Sequence, residues 1–147
     1  YLNYSGGCHG QTIRACNQPF VMLKRALTAG NQMLFMIFHK ESQQIIGASG
    51  FNDRSKLEVP LFEIGYWLET AFTGQGFATE MVYALTDFAF ESFKAARVQI
   101  VTQVGNEASR RVAEKCGFIL EATLKNYCVD SLSKKLSDDW IFVRFTE

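Results

Sequence analysis

The sequence predicts an α+β domain built on a mixed, mostly antiparallel sheet. Two apolar runs, residues 33–39 and 45–51, flank a polar turn and form the pattern of an antiparallel hairpin. Residues 61–68 alternate as a strand, and the next strand, 97–104, follows after a helical pattern over 76–92. A crossover of this length requires the two strands to be parallel and connected in the right-handed sense. One hairpin and one βαβ unit therefore define the fold class.

The remaining segments extend this sheet and cover it. A helix is expected over residues 19–28, since it begins at a proline and is followed by Gly30. A second amphipathic segment, 107–115, predicts another helix, and residues 118–128 and 140–146 predict a closing hairpin. We expect these helices to lie on both faces of the sheet, as is usual when helices and a mixed sheet share one core.

Composition and charge restrict the class of protein. Residues 1–147 are 48% hydrophobic, which is enough for one globular domain with a sizeable core. Fifteen basic and fifteen acidic side chains cancel, so we expect no general binding of nucleic acid or of an anionic membrane. No apolar run reaches the roughly 20 residues of a transmembrane helix. We expect the cysteines, which lack metal-ligand spacing, to be reduced thiols in the cytoplasm: Cys8, Cys16, Cys116 and Cys128.

The junction between strand 61–68 and helix 76–92 is the most informative stretch. Its sequence from Gly74 is Gly-Gln-Gly-Phe-Ala, with two glycines where the strand must turn into the helix. A turn of this kind leaves backbone N–H groups unpaired at the positive end of the helix dipole, and phosphate groups bind such ends. The turn therefore indicates an anion site, although the glycines also have a purely local explanation as turn residues.

Three motifs occur in order along the chain: Glu-Ile-Gly-Tyr-Trp-Leu from Glu63, Gly-Gln-Gly-Phe-Ala-Thr-Glu from Gly74, and the segment from Asn106 to Phe118. Together they resemble the GNAT superfamily of acetyl-CoA-dependent N-acetyltransferases, and within it the branch of ribosomal-protein alanine and serine N-acetyltransferases. The resemblance implies a single GNAT domain that uses acetyl-CoA as co-substrate and no metal. The family's first strand has no convincing counterpart in this sequence, so we expect the domain to lack it.

The resemblance assigns the cofactor to the glycine turn. The family's pyrophosphate signature corresponds to residues 73–78, where Thr73 replaces the usual long polar or basic side chain. Backbone amides supply most of this binding, so the replacement is expected to weaken it rather than abolish it. The residues expected to bind the pyrophosphate are Gln75, Gly76, Phe77, Ala78 and Thr79.

The second helix is expected to bind the pantetheine arm. By resemblance Asn106 contacts this arm, and Ser109, on the same side of the helix, lies near the cofactor sulfur. The alternative for Asn106 is a simple N-cap, a position that Asn favours. Arg110, Arg111 and Lys115 could reach cofactor phosphates, with Arg111 kept as the weak candidate, but exposed basic side chains on a helix are more often solvated.

Catalytic roles follow from the same resemblance. Glu63, on the central strand, is the candidate general base; alternatively it is an exposed strand residue or a counter-ion for the substrate amine. The oxyanion is expected to meet backbone N–H groups around Trp67 and Leu68. Tyr66 and Trp67 alternate across this strand, so one of them faces the cofactor cleft, and the sequence does not decide which.

The general acid of the family has no counterpart. Many relatives have a Tyr seven residues after the Asn, and this chain has Ala113 there. Ser109 is the expected substitute, followed by Tyr127 and Cys116. A thiol with a pKa near 8.5 leaves readily, so a weak acid or water suffices.

The resemblance thus implies acetyl transfer within a ternary complex to a primary amine. The expected acceptor is the N-terminal α-amine of a ribosomal or other protein. A small polyamine or aminoglycoside-like amine remains an alternative, although the sequence offers no plain acidic cluster to receive it. A non-catalytic acyl-CoA sensor is a third hypothesis, to which Thr73 and Ala113 point. Exposed strand edges in the closing hairpin leave a homodimer open.

Overall fold

A computed structural model describes residues 12–13, 21–29, 32–53 and 59–146. Within these ranges the chain forms eight strands, two α-helices and one turn of 3₁₀-helix. No helix in them is long and apolar enough to cross a membrane. The elements are β1 (Thr12–Ile13), β2 (Val21–Ala29), β3 (Gln32–His39), β4 (Ile45–Asp53), β5 (Leu61–Leu68), the 3₁₀ turn (Thr70–Phe72), α1 (Phe77–Phe93), β6 (Arg97–Gln103), α2 (Glu107–Lys115), β7 (Ile119–Val129) and β8 (Leu136–Phe145).

The described strands form one mixed sheet in the order β1-β2-β3-β4-β5-β6-β8-β7. Every neighbouring pair is antiparallel except β5 and β6, which are parallel and are joined through α1. This arrangement confirms the predicted fold class, a mostly antiparallel sheet with one βαβ crossover. Helix α2 begins and ends at the predicted residues, because its amphipathic pattern is short and strongly periodic.

The helix expected over residues 19–28 is wrong, because Val21–Ala29 is strand β2. This strand pairs antiparallel with β3 from Val21 opposite His39 to Ala29 opposite Gln32. Ladder hydrogen bonds to a neighbour outweigh a local helical preference of a few tenths of a kcal/mol per residue. The dipeptide Gly30-Asn31 between the two strands is also one that hairpin turns favour. The proline that suggested the start of the helix lies outside the described residues.

The two described helices pack on the same face of the sheet. Helix α1 buries Met81, Val82 and Leu85 in an apolar cluster that also contains Ile64 of β5 and Ala113 of α2. Alternate residues of β5 and β6 therefore face the helices, and those between them face the other way. The expectation of helices on both faces is therefore not met within the described residues.

The backbones of β3 and β4 approach closely at Gly50, so a side chain added there should destabilise the fold. A Cβ at Gly50 would collide with the carbonyl oxygen of Met33 on β3. Gly65 lies opposite Gly50 in the ladder, and a Cβ there would meet Asn52 Nδ2 at 3.5 Å, which is an ordinary contact. Gly50→Ala should lower the free energy of unfolding by about 1–3 kcal/mol through overpacking, and Gly65→Ala by much less. Urea unfolding of both variants measures this; equal losses would contradict the packing described.

Candidate active site

Strands β5 and β6 separate along their length and open a wedge. They pair only from Leu61 opposite Arg97 to Glu63 opposite Gln99, although β5 continues to Leu68 and β6 to Gln103. A cavity of about 470 Å³ fills this wedge, lined by both strands, the turn before α1, the first turn of α1 and one side of α2 along its length. Its volume lies within the range of about 300–1,000 Å³ that small-molecule and cofactor sites occupy.

One wall of the cavity is the glycine turn. Gly74 (φ 73°) and Gly76 (φ 88°) both have left-handed backbone conformations, and a Cβ on either would meet nothing within 4 Å. The glycines are therefore needed for their φ angles and not for lack of space. Gly76 is the N-cap of α1 and has no side chain with which to cap it. The first N–H groups of α1 thus stand at the cavity wall, at the positive end of the helix dipole.

A second wall comes from the start of α2. The side chain of Asn106 accepts a hydrogen bond from the Ser109 backbone N–H at 3.2 Å, which is the geometry of an N-cap. The local explanation for Asn106 is therefore present in the structure. Both residues also line the cavity, so the cap fixes the position of Ser109 within it.

Tyr66 faces the cleft and Trp67 faces away from the helices, which resolves the choice that the sequence left open. The Tyr66 hydroxyl lies 3.0 Å from Ser109 Oγ, whereas Trp67 is 57% exposed. Burial raises the pKa of Tyr66 above its usual value near 10, and the hydrogen bond to Ser109 offsets part of this rise. The sequence contained the signal: Ile64 is a core residue, and Tyr66, two positions later, lies on the same face.

The free edge of β5 directs particular backbone groups into the wedge. The Glu69 N–H donates to the Ile46 carbonyl at 2.8 Å, and Ser49 Oγ donates to the Gly65 carbonyl at 2.8 Å. Odd-numbered residues of β5 therefore direct their backbone groups toward β4. Because these directions alternate along a strand, the N–H groups of Tyr66 and Leu68 point toward β6, into the wedge. The Trp67 N–H points toward β4 instead, so the expectation that it meets the oxyanion is wrong.

Glu63 lies at the base of the wedge, on the face away from the helices. It is 6% exposed, so its interpretation as an exposed strand residue is wrong. One carboxylate oxygen accepts from Asn52 Nδ2 at 3.3 Å and the other from Gln99 Nε2 at 2.8 Å. Gln99 is oriented in turn because its carbonyl oxygen accepts from Arg97 Nε at 3.1 Å. Two amide donors suit an ionised carboxylate, which only accepts hydrogen bonds.

A second cavity, of about 310 Å³, lies on that same face of β4 and β5. Gly50 and Gly65 face each other across the ladder and leave its floor without side chains. Leu34 and Trp67, both exposed apolar side chains, form parts of its wall, and Asn52, the partner of Glu63, is also a lining residue. Because Gly65, Tyr66 and Trp67 line both cavities, the two meet at β5.

Most of the expected cofactor residues line the first cavity, namely Trp67, Leu68, Gly76, Ala78, Thr79, Asn106 and Ser109. Gln75 and Phe77, which were also expected to bind the cofactor, do not line this cavity. Gln75 donates from Nε2 to the Ala71 carbonyl at 3.0 Å, and the ring of Phe77 is buried against His39. Ile100 and Thr102 of β6 also line the cavity, and no motif in the sequence pointed to them.

The other candidate acids lie away from the cavity wall. Burial raises the pKa of the Cys116 thiol to about 12, and its Sγ is directed at the Thr79 carbonyl at 3.4 Å. Tyr127 is exposed on β7. Ala113 is buried in the apolar cluster between the helices. Ser109 is therefore the candidate acid that the fold brings into the wedge.

The cysteines that the structure describes, Cys116 and Cys128, are both free thiols. Cys8 and Cys16 lie outside the described residues, so the expectation of reduced thiols stays a prediction for them. Within the described part of the chain, no three His, Cys, Asp or Glu side chains are grouped so that they could hold a metal ion.

Comparisons with known proteins agree with this geometry. A family model described as an acetyltransferase (GNAT) domain matches residues 11–119. The chain is 38% identical over 96 residues to the ribosomal-protein-serine acetyltransferase of Escherichia coli (strain K12), an overlap of 65% of this chain and 52% of that protein. The chain thus spans about half the length of this curated relative.

Solved structures show the same similarity. The chain resembles RimL, a ribosomal L7/L12 alpha-N-protein acetyltransferase in complex with coenzyme A, at 27% identity and a TM-score of 0.69, over 78% of this chain and 62% of that chain. It also resembles the microcin C7 self-immunity acetyltransferase MccE in complex with acetyl-CoA and AMP, at 28% identity and a TM-score of 0.69, over 78% and 61%. With more than half of its residues matched by the family model, the chain belongs to the GNAT acetyltransferase domain family.

Proposed function

We propose that this protein is an N-acetyltransferase that transfers the acetyl group of acetyl-CoA to the N-terminal α-amine of a protein, with ribosomal proteins as the acceptor class. The observation behind the proposal is the wedge between β5 and β6. It brings the glycine turn at the start of α1, the unpaired edge of β5 and the Ser109 hydroxyl into one cavity. The names of the Escherichia coli relative and of RimL, both acetyltransferases of ribosomal proteins, support the acceptor class.

The residues of the first cavity suit acetyl-CoA. The backbone of the turn at Gly74 and Gly76, with the N–H groups of Ala78 and Thr79, would hold the pyrophosphate. The unpaired edge of β5 offers backbone hydrogen bonds to the amides of the pantetheine arm. The thioester would then lie in the wedge beside Ser109. The presence of coenzyme A in the RimL complex and of acetyl-CoA in the MccE complex supports this choice of donor.

The acceptor amine must lose a proton before it attacks the thioester carbon. An α-amine with a pKa near 8 costs about 1.4 kcal/mol to deprotonate at pH 7, whereas a lysine ε-amine near 10.4 costs roughly 4.6 kcal/mol. Glu63 would accept this proton, directly or through water. The N–H groups of Tyr66 and Leu68 would stabilise the oxyanion, and Ser109 would hydrogen-bond the departing sulfur.

The second cavity offers the acceptor a route to the base of the wedge. Its glycine floor leaves room for an extended backbone, and the apolar walls at Leu34 and Trp67 suit the side chains of a peptide. The Glu63 carboxylate, held by Asn52 at the edge of this cavity, would attract a positively charged α-amine before deprotonation. A peptide terminus therefore fits this face by both shape and charge.

Thiol release from acetyl-CoA, measured with a panel of acceptors, tests the proposal. The panel contains short peptides with free N-termini, the same peptides with blocked N-termini, polyamines and aminoglycosides. Turnover is expected with the free peptides and should disappear when the α-amine is blocked. Turnover with polyamines or aminoglycosides alone would replace the proposed acceptor by a small amine. Tight binding of coenzyme A without any turnover would instead indicate a sensor.

Two basic side chains at the cavity mouth predict a charge effect on donor binding. Arg111 and Lys115 line the cavity and are exposed, so each should interact with cofactor phosphates at the strength of a surface ion pair. Arg111→Ala and Lys115→Ala should each raise the KM for acetyl-CoA about threefold, and less in high salt because the charges are then screened.

Arg110 provides the matched control for this prediction. Its guanidinium is bound to Glu114 at 2.8 Å and lies over the ring of Trp140 at 5.6 Å. Arg110→Ala should therefore leave the KM for acetyl-CoA unchanged. A KM that responds equally to all three substitutions would show that net charge, and not position at the cavity, determines the effect.

A further inference from the structure

We propose that Tyr66 is a positioning residue for departure of the thiolate: its hydroxyl donates a hydrogen bond to Ser109 Oγ and thereby directs the Ser109 proton at the sulfur. The inference rests on the proposed acetyl transfer. It gives a role in that reaction to Tyr66, for which the sequence alone indicated none. Many relatives have a tyrosine on α2 at the position of Ala113. In this chain Tyr66 would supply a tyrosine hydroxyl from strand β5 instead.

Two separate elements fix the hydroxyl pair. Tyr66 belongs to β5 and Ser109 to the first turn of α2, and their oxygens are 3.0 Å apart. The backbone of Ser109 is held by the Asn106 cap at 3.2 Å. Both side chains are half-buried and line the first cavity. The pair is therefore held in place before any substrate enters.

The hydrogen-bonding capacity of the two hydroxyls allows Tyr66 to be the donor in this hydrogen bond. A serine hydroxyl donates one hydrogen bond and accepts two, and a tyrosine hydroxyl can donate or accept. If Tyr66 donates to Ser109 Oγ, the single Ser109 proton is left for an acceptor in the cavity. A chain of hydroxyls also polarises its members, so each bond strengthens the next.

The relative acidities show that this is hydrogen bonding and not net proton transfer from Tyr66. Burial raises the pKa of Tyr66 above 10, whereas a thiol has a pKa near 8.5. Tyr66 therefore keeps its proton at neutral pH and remains a donor. When the C–S bond breaks, its electron pair goes to sulfur, and the thiolate accepts the hydrogen bond from Ser109. Solvent then supplies the proton that forms the S–H bond.

A double-mutant cycle on the chemical step tests the inference. Tyr66→Phe, which keeps the ring, and Ser109→Ala should each lower the single-turnover rate of acetyl transfer about tenfold. Because Tyr66 acts through Ser109, the double variant should be no slower than Ser109→Ala alone. The KM for acetyl-CoA should change little in Tyr66→Phe. All rates are compared at a temperature at which thermal unfolding shows every variant to be folded.

Tyr83→Phe is the matched control, because it removes a tyrosine hydroxyl that also donates to α2, at the Lys115 backbone carbonyl (2.7 Å), and Tyr83 itself does not line the first cavity. Its transfer rate should equal that of the unmodified protein. An unchanged rate in Tyr66→Phe, or effects of Tyr66→Phe and Ser109→Ala that multiply, would overturn the inference. Absence of turnover in the unmodified protein would instead overturn the proposed function, so the two failures are distinguishable.

Discussion

Glu63→Gln is expected to lower kcat/KM for a peptide α-amine about 100-fold at pH 7. This loss lies at the lower end of the range of about 10²–10⁴-fold for general base catalysis, because an α-amine needs only modest help to lose its proton. The affinity for coenzyme A should not change, since Glu63 lies outside the wall of the first cavity. Steady-state kinetics with a free-terminus peptide measure the loss, and calorimetry measures the affinity.

The same variant should show a different dependence on pH. Without a base, the reaction depends on the fraction of amine that is already neutral. For an amine with a pKa near 8, this fraction rises from about one tenth at pH 7 to about nine tenths at pH 9. The kcat/KM of Glu63→Gln should therefore rise roughly tenfold over this interval, and that of the unmodified protein should rise less. Parallel pH profiles would contradict the role of a base.

The hydrogen bonds around Glu63 indicate that this variant will fold. A glutamine in its place can present its carbonyl oxygen to Gln99 and its amide group to Asn52, which then turns its own amide to accept. Glu80→Gln is the matched control, because Glu80 is another carboxylate that is 6% exposed and lies outside the cavity wall. It should leave both the rate and its pH dependence unchanged.

Gly76→Ala is expected to raise the KM for acetyl-CoA about 30-fold. The left-handed φ of 88° strains any residue with a Cβ, at a cost of about 1–3 kcal/mol. In the proposed site the added methyl would also obstruct the pyrophosphate, because it would project into open space at the start of α1. Substrate-saturation kinetics and calorimetry with coenzyme A measure the loss of affinity.

Gly117→Ala separates the two causes. Gly117 follows α2 with a φ of 79°, and it does not line the cavity. Both variants should lose similar stability in urea unfolding, but Gly117→Ala should leave the KM for acetyl-CoA unchanged. If the KM rose equally in both variants, general strain and not the approach of the cofactor would explain the effect.

The βαβ unit and α2 could be predicted from sequence because their signals are local. Apolar periodicity, the glycines before α1 and the helix-capping Asn106 all lie within the segments they define. Strand β2 could not be predicted in the same way. Its residues have no strong strand alternation, and its partner, β3, supplies the hydrogen bonds that decide its structure.

The surroundings of Glu63 show why a site is harder to predict than a fold. Its partners, Asn52 and Gln99, are 11 and 36 residues away in sequence, and β4 and β6 bring them together. The link between Tyr66 and Ser109 likewise spans 43 residues. Motif resemblance pointed to Glu63 and Ser109, but burial, hydrogen-bond partners and the direction of Tyr66 depend on how the strands are paired.

Competition between two amines in one peptide tests the central claim most directly. A peptide with a free α-amine and an internal lysine is incubated with acetyl-CoA and the protein, and fragmentation mass spectrometry locates the acetyl group. The acetyl group is expected on the α-nitrogen, at a rate that falls in Glu63→Gln and stays unchanged in Glu80→Gln. Acetylation of the lysine in preference to the α-amine, or no acetylation while acetyl-CoA is bound, would contradict the claim.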